Sequence, residues 1–131
     1  GDNPALEARM PAGTRIGHVH VHVNDLARAM TFYRDGLGFG GLFIIRQFGM
    51  GDVGLDYMPH TIAFNIWAGP NAKPAPTGAA GLRWFTINVP DQKTLGEIRE
   101  RLSELRVAVE DIPGGFEVRD PSQNLVKVLA A

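Results

Sequence analysis

The sequence predicts one α+β domain assembled from two copies of a strand, a helix and three strands. Three observations carry that prediction. Residues Ile16 to Val23 alternate apolar and polar and then pass at Asn24-Asp25 into helical spacing, and residues 82–105 repeat the same change of period. Val23-Asn24-Asp25 matches Val89-Pro90-Asp91 at an offset of 66 positions (89 against 23), about half the chain, as an internal duplication would leave it. Between the halves "GPNAKPAPTGAAG", residues 69–81, is rich in Pro, Gly and Ala and has no period, which is the composition of a linker.

The elements follow in chain order. Residues 1–15 carry no apolar run and are expected to form a flexible tail, leaving 16–131 as the domain, with modules 16–68 and 82–131. "IGHVHVHV" is a half-buried strand, because Val19, Val21 and Val23 fall on one face and His18, His20 and His22 on the other. Asp25 supplies N-cap chemistry, and Leu26, Ala29, Met30 and Tyr33 recur at i, i+3, i+4 and i+7, a helical stripe that ends at Gly36 and Gly38. "GGLFIIRQFG", "DVGLDYM" and "HTIAFNIWAG" then read as strands. In the second half Leu82 to Val89 is the strand, and Asp91 the cap. Leu95, Ile98, Leu102 and Leu105 form the stripe, and "VAVEDI", "GFEVRD" and "NLVKVLA" are the closing strands. A half of about 60 residues would bury too little surface to stand alone, so the modules are expected to share one core.

Composition excludes several classes of function. With 44% hydrophobic and 21% charged residues the chain has the balance of a folded globular protein. Thirteen basic against 14 acidic residues give a formal charge of -1 with no clustered run, so there is no footprint for nucleic acid. No stretch approaches the ~20 apolar residues of a membrane span, and no membrane role is expected. The chain has no cysteine, which removes disulfides, thiolate metal sites and cysteine nucleophiles and accords with a cytoplasmic location. Phosphate-binding glycine loops and nucleophile elbows are also missing from the sequence.

The run "GHVHVHVNDLARAMTFYRDGLGF", with "HTIAFNIWAG" and the closing "VRDPSQNL", resembles the vicinal oxygen chelate superfamily. That superfamily includes glyoxalase I, bleomycin and fosfomycin resistance proteins and extradiol ring-cleaving dioxygenases. The resemblance covers residues 16–130. It implies that two βαβββ modules form a cupped, mixed and mostly antiparallel sheet with helices outside and the ligand in the cup. It also implies a homodimer and, in many members, a divalent metal such as Fe, Zn, Mn or Ni. His18 matches the first ligand position of such a site.

Two other positions depart from the pattern. The offset of 66 carries His18 to Trp84, which has no lone pair for a metal. The closing strand, where the resemblance implies a ligating Glu, has Lys127 there instead, and Gln123 in place of a Gly. An ammonium about 5 Å from a divalent ion would be repelled by roughly 6–7 kcal/mol at an effective dielectric near 20, unless the flexible lysine turned away. His60 opens the strand where dioxygenase-like relatives carry histidines, so His18 and His60 are the candidate metal ligands. A slip of one residue would put His60 on the opposite face.

The remaining candidates line the expected cup: His20, His22, Phe64, Trp84, Thr86 and Lys127. Phe64 is placed there on the expectation that it shares the face of His60. The histidines could equally be polar lining of a hydrated hollow, since i and i+2 neighbours stand ~6–7 Å apart along a strand. Trp84 and Trp67 could be core fillers, and Tyr57 an edge residue rather than a proton donor. Asp25 and Asp91 are expected to be helix caps, Asp120-Pro121 a turn, and Glu97, Arg101 and Glu104 a locally paired helix face.

Two readings of function follow, with no catalytic residue assigned in either. One is a metal-dependent dioxygenase or lyase acting on a small aromatic or oxygen-chelating molecule. The other is a metal-free protein that binds or sequesters such a molecule, with Trp84 stacking and Lys127 pairing with an anion. A metal-free enzyme using a histidine base and Lys127 as an electrostatic stabiliser is chemically consistent with the same residues.

Overall fold

A computed structural model describes residues 10–131 of the chain. The first nine residues of the expected tail lie outside the described residues. The described chain contains β1 (Val19–His22), α1 (Leu26–Met30), β2 (Gly40–Ile45), β3 (Met50–Leu55) and β4 (Met58–Asn65), then β5 (Phe85–Val89), α2 (Gln92–Glu104), β6 (Val109–Ile112), β7 (Gly115–Arg119) and β8 (Leu125–Ala130). Each half therefore runs strand, helix, three strands, and residues 69–81 contain no helix or strand.

Each half makes its own four-stranded sheet, in the order β1-β4-β3-β2 and β5-β8-β7-β6. In both, the first strand lies parallel to the last and the other pairs are antiparallel. The duplicated order has a plain cause: the helix after the first strand carries the chain over one face of the sheet, and the next three strands return by short turns.

Both helices begin as expected. The Asp25 carboxylate accepts from Arg28 N at 3.0 Å and that of Asp91 from Thr94 N at 2.8 Å, and the latter bond holds the Asp91 carboxyl below its ordinary range. α1 continues as a π-helical turn over Thr31–Gly36, which brings Phe32 and Tyr33 into the core. Val21 and Val23, the α1 residues Leu26, Ala29 and Met30, and the α2 residues Leu95, Ile98 and Leu102 are all buried in one cluster, with Val126 and Val128 of β8 and Phe116 of β7. The two modules thus share a core.

Polar ties join the modules. Tyr33 donates its buried hydroxyl hydrogen to Asp120 Oδ2 at 2.8 Å. Asp120 Oδ1 also accepts from the backbone of Ser122 and Asn124, so the Asp-Pro turn is anchored to the first helix. Burial, then the neighbouring Asp120 carboxylate, raises the Tyr33 phenol well above the ordinary tyrosine range. Arg101 does not pair with Glu97 or Glu104; it reaches the carbonyls of Gly36 and Leu37 at 3.1 and 3.3 Å, where the π-helical turn leaves acceptors free.

Candidate functional site

The histidine strand has the parity its alternation demands. Val21 and Val23 are buried beneath the helices, while His18, His20 and His22 are exposed on the other face. β1 pairs in parallel with β4, His20 against Ala63 and His22 against Asn65, so these side chains share that face. Asn65 arranges it further. Its Oδ1 accepts from Trp67 N at 3.1 Å, which turns Nδ2 toward His20 Nε2 at 2.7 Å. His20 Nε2 then carries the lone pair and Nδ1 the proton. Burial lowers the pKa of His20 most, followed by its neighbours His60, His18 and His22, so the other three histidines all lie within electrostatic reach of His20.

His60 joins this face by a local exception. Regular alternation would place it with Ile62 and Phe64, which are buried on the core side. Its backbone is left-handed, with φ 58°, and the β3–β4 register slips between Val53 and Leu55. This bulge turns the ring to lie 4.8 Å, centre to centre, from that of His18. Phe64 is therefore misplaced by the sequence reading: it does not share the face of His60 but is fully buried, stacked on Tyr33 at 5.8 Å, because it pairs in register with Val21.

Asp52 stands behind His60. Its Oδ2 is 2.6 Å from His60 Nδ1, the side chain is almost completely buried, and Oδ1 has no hydrogen-bond partner among the described residues. Nothing in the sequence reading singled it out. The available signal was an acidic residue in the middle of the short strand "MGDVGL", where a charge is costly unless it serves something.

These three side chains fit a divalent cation in part. Two imidazoles bound to one ion at ~2.0–2.1 Å hold their ring centres roughly 4.5–5.5 Å apart, and His18 and His60 meet that spacing. A carboxylate on Nδ1 leaves Nε2 as the donor and orients the ring, the usual arrangement behind a metal-ligating histidine. A nearby cation would also compensate the unpartnered buried oxygen. The described residues contain no group of three His, Cys, Asp or Glu placed to hold a metal, so the protein offers two donors there and not three.

The two modules face one another along the seam between β1 and β5. A cavity of about 400 Å³ lies at one end, lined by His20, His22, Trp84, Lys73, Ser122 and Asn124 among others, with linker residues forming part of its wall. A second, about 380 Å³, lies at the other end between His18, Thr61, Thr86 and Asn88. The structure thus brings the expected strands together. Lys127 lies in register with Thr86, and its Nζ is 4.1 Å from the centre of the Trp84 ring. Trp67 is exposed, with Nε1 donating to Phe48 O at 2.7 Å and its ring 5.5 Å from that of His20. Tyr57 is an exposed residue of the β3–β4 turn.

The comparisons accord with this geometry. Residues 15–128 match the family described as the Glyoxalase/Bleomycin resistance protein/Dioxygenase superfamily. The chain is 40% identical over 114 residues to a catechol-2,3-dioxygenase of Bacillus subtilis, an alignment that takes in 86% of this chain and 39% of that longer protein. Among solved structures, a glyoxylase/bleomycin resistance protein/dioxygenase domain from Frankia sp. EAN1pec superposes with a TM-score of 0.74 at 18% identity, covering 90% of this chain and 92% of that one. A lactoylglutathione lyase from Agrobacterium tumefaciens does so with 0.66 at 21% identity, covering 92% and 96%. With most of its length matched and its two βαβββ halves in place, the chain belongs to the glyoxalase/bleomycin resistance protein/dioxygenase superfamily.

Proposed function

We propose that this protein is a dioxygenase-like enzyme acting on a small aromatic or oxygen-chelating molecule bound along the seam between its two modules. The observation that carries the reading is the pair His18 and His60, 4.8 Å apart, with the buried Asp52 carboxylate fixed on the second imidazole. The 40% identity to a catechol-2,3-dioxygenase supports it, although this chain spans well under half of that protein.

His18 and His60 would hold a divalent metal, Fe, Zn, Mn or Ni. A cation there supplies a Lewis acid to two adjacent oxygens of the substrate. The chain's own residues do the rest. Asp52 keeps the His60 proton on Nδ1, His20, whose Nε2 already accepts from Asn65, has its Nδ1–H left as a donor for the bound molecule, and Trp84 presents a flat surface for a ring. Trp84 and Lys127, at positions where the resemblance implies ligands, would give such a cation no lone pair. Related proteins support a homodimer as the working form.

The protein should be loaded separately with each metal under anaerobic conditions, desalted, analysed for metal and assayed for dioxygen uptake with catechols. About one equivalent of one metal, dioxygen consumption, and loss of both in His18→Ala and His60→Ala are expected. Less than about a tenth of an equivalent of every metal would overturn the enzymatic reading. The metal-free binding reading would then stand, favoured by the Trp84–Lys127 pair.

A further inference from the structure

The proposed function leaves one charged group of the site without a task. Lys127, in the middle of β8, is in register with Thr86 of β5 on one side and Glu117 of β7 on the other, so the three side chains leave the sheet together. An opposite charge directly across an antiparallel pair is the ordinary partner for a half-buried ammonium. Lys127 does not take it. It makes none of the ion pairs among the described residues, and its Nζ lies over the Trp84 ring instead. That choice carries the positive charge away from β7 and toward the seam. A cation–π contact of this kind contributes roughly 0.5–2 kcal/mol and leaves the three N–H donors unneutralised.

The surroundings have the same bias. Trp84 lines the cavity it shares with His20 and His22, and a second ammonium, that of Lys73, stands on the linker wall of that cavity. Among the described residues neither seam cavity is lined by an aspartate or a glutamate. A hollow with an indole surface, imidazoles and one ammonium in its lining, a second ammonium over that same indole, and no carboxylate in its lining favours a ligand that is flat and negative.

We infer that the molecule taken by this site is an aromatic acid, its ring laid against Trp84 and its carboxylate drawn to the Lys127 ammonium. This rests on the proposed function in one respect, that a small aromatic molecule binds along the seam. Lys127 then sets specificity: its four-carbon stem lets the ammonium leave the indole face for the carboxylate, and a charge-assisted hydrogen bond is the stronger of the two contacts.

Salicylate and salicylamide share a ring and nearly a shape and differ in charge, so they separate the two claims. Their binding is read by Trp84 fluorescence in a Trp67→Phe background, which leaves one indole. Salicylate is expected to bind at least about tenfold more tightly, a preference worth about 1.4 kcal/mol that shrinks with added salt. Lys127→Met should bring the two ligands within about twofold while leaving salicylamide unchanged, and Lys127→Arg should keep the preference. Circular dichroism of each variant checks the fold. Equal affinities in the parent protein, or a preference that survives Lys127→Met, would overturn this inference and leave the proposed function standing. Failure of both ligands to bind would overturn the two together.

Discussion

At the scale of single residues the structure turns on two buried acids with opposite surroundings. Asp120 accepts from Tyr33, from two backbone amides and from the Asn124 side chain, so its charge is fully engaged. Asp52 has one bond, to His60, and one orphaned oxygen. The first is a fastener and the second is poised for something else. Replacing Tyr33 by Phe should cost about 1.5–3 kcal/mol in urea unfolding, the scale of one hydrogen bond to a charged group. The pH dependence has a definite sign. The folded state raises the phenol above its ordinary value, so the contribution of Tyr33 is complete below about pH 10 and is lost as the pH rises beyond it, and Tyr33→Phe should flatten that alkaline decline. Asp52→Asn keeps the shape but not the charge behind His60. It is expected to weaken metal binding about 10–100-fold, measured by competition with a chromophoric chelator, with the unfolding midpoint little changed.

At the scale of elements, most of the chain obeyed its periodicities. β1 and α2 were legible because alternation and the 3.6 period are direct consequences of one-sided burial, and the buried residues of α2 are Leu95, Ile98 and Leu102 as the stripe required. β4 was not. Period two fixes a face only while every residue stays extended, and His60 breaks it with a left-handed backbone, so the side chain after which the strand was oriented is the one that points the other way. The β3 residue opposite the bulge is Gly54, where an added Cβ would stand 2.8 Å from His60 N and 2.9 Å from Met58 O. Backbone atoms cannot give way as a side chain does. Gly54→Ala should therefore push the bulge out of register and cost about 1–3 kcal/mol, and nuclear magnetic resonance of the His60 imidazole should report the loss of its Asp52 partner.

At the scale of the whole molecule the closing turn after β7 holds the seam. Ser122 Oγ accepts from Asn24 N at 2.9 Å and donates to Asn24 Oδ1 at 3.1 Å, and Asn124 Nδ2 donates to His22 O at 2.8 Å. These bonds bind the histidine strand of one module to the turn preceding the lysine strand of the other. Removing them in Ser122→Ala with Asn124→Ala should cost about 1–3 kcal/mol and speed amide exchange in β1 ahead of β8. Phe43, Phe48 and Trp67 on the first module are 46, 59 and 63% exposed. The homodimer proposed above should cover them, and light scattering should give twice the 14.2 kDa of the chain. A 14.2 kDa species at every concentration would refute that assembly.

The sequence by itself determined the two-fold repeat, the order of elements within each repeat, the caps at Asp25 and Asp91, and the face from which His18, His20 and His22 project. All of these follow from interactions between near neighbours, in which side-chain spacing maps directly onto burial. Only the tertiary structure decided that Asp52 backs His60, that Phe64 lies in the core and that Lys127 turns to Trp84 rather than Glu117. Each of those depends on strand register and on one non-extended residue, and register is set by partners distant in the chain.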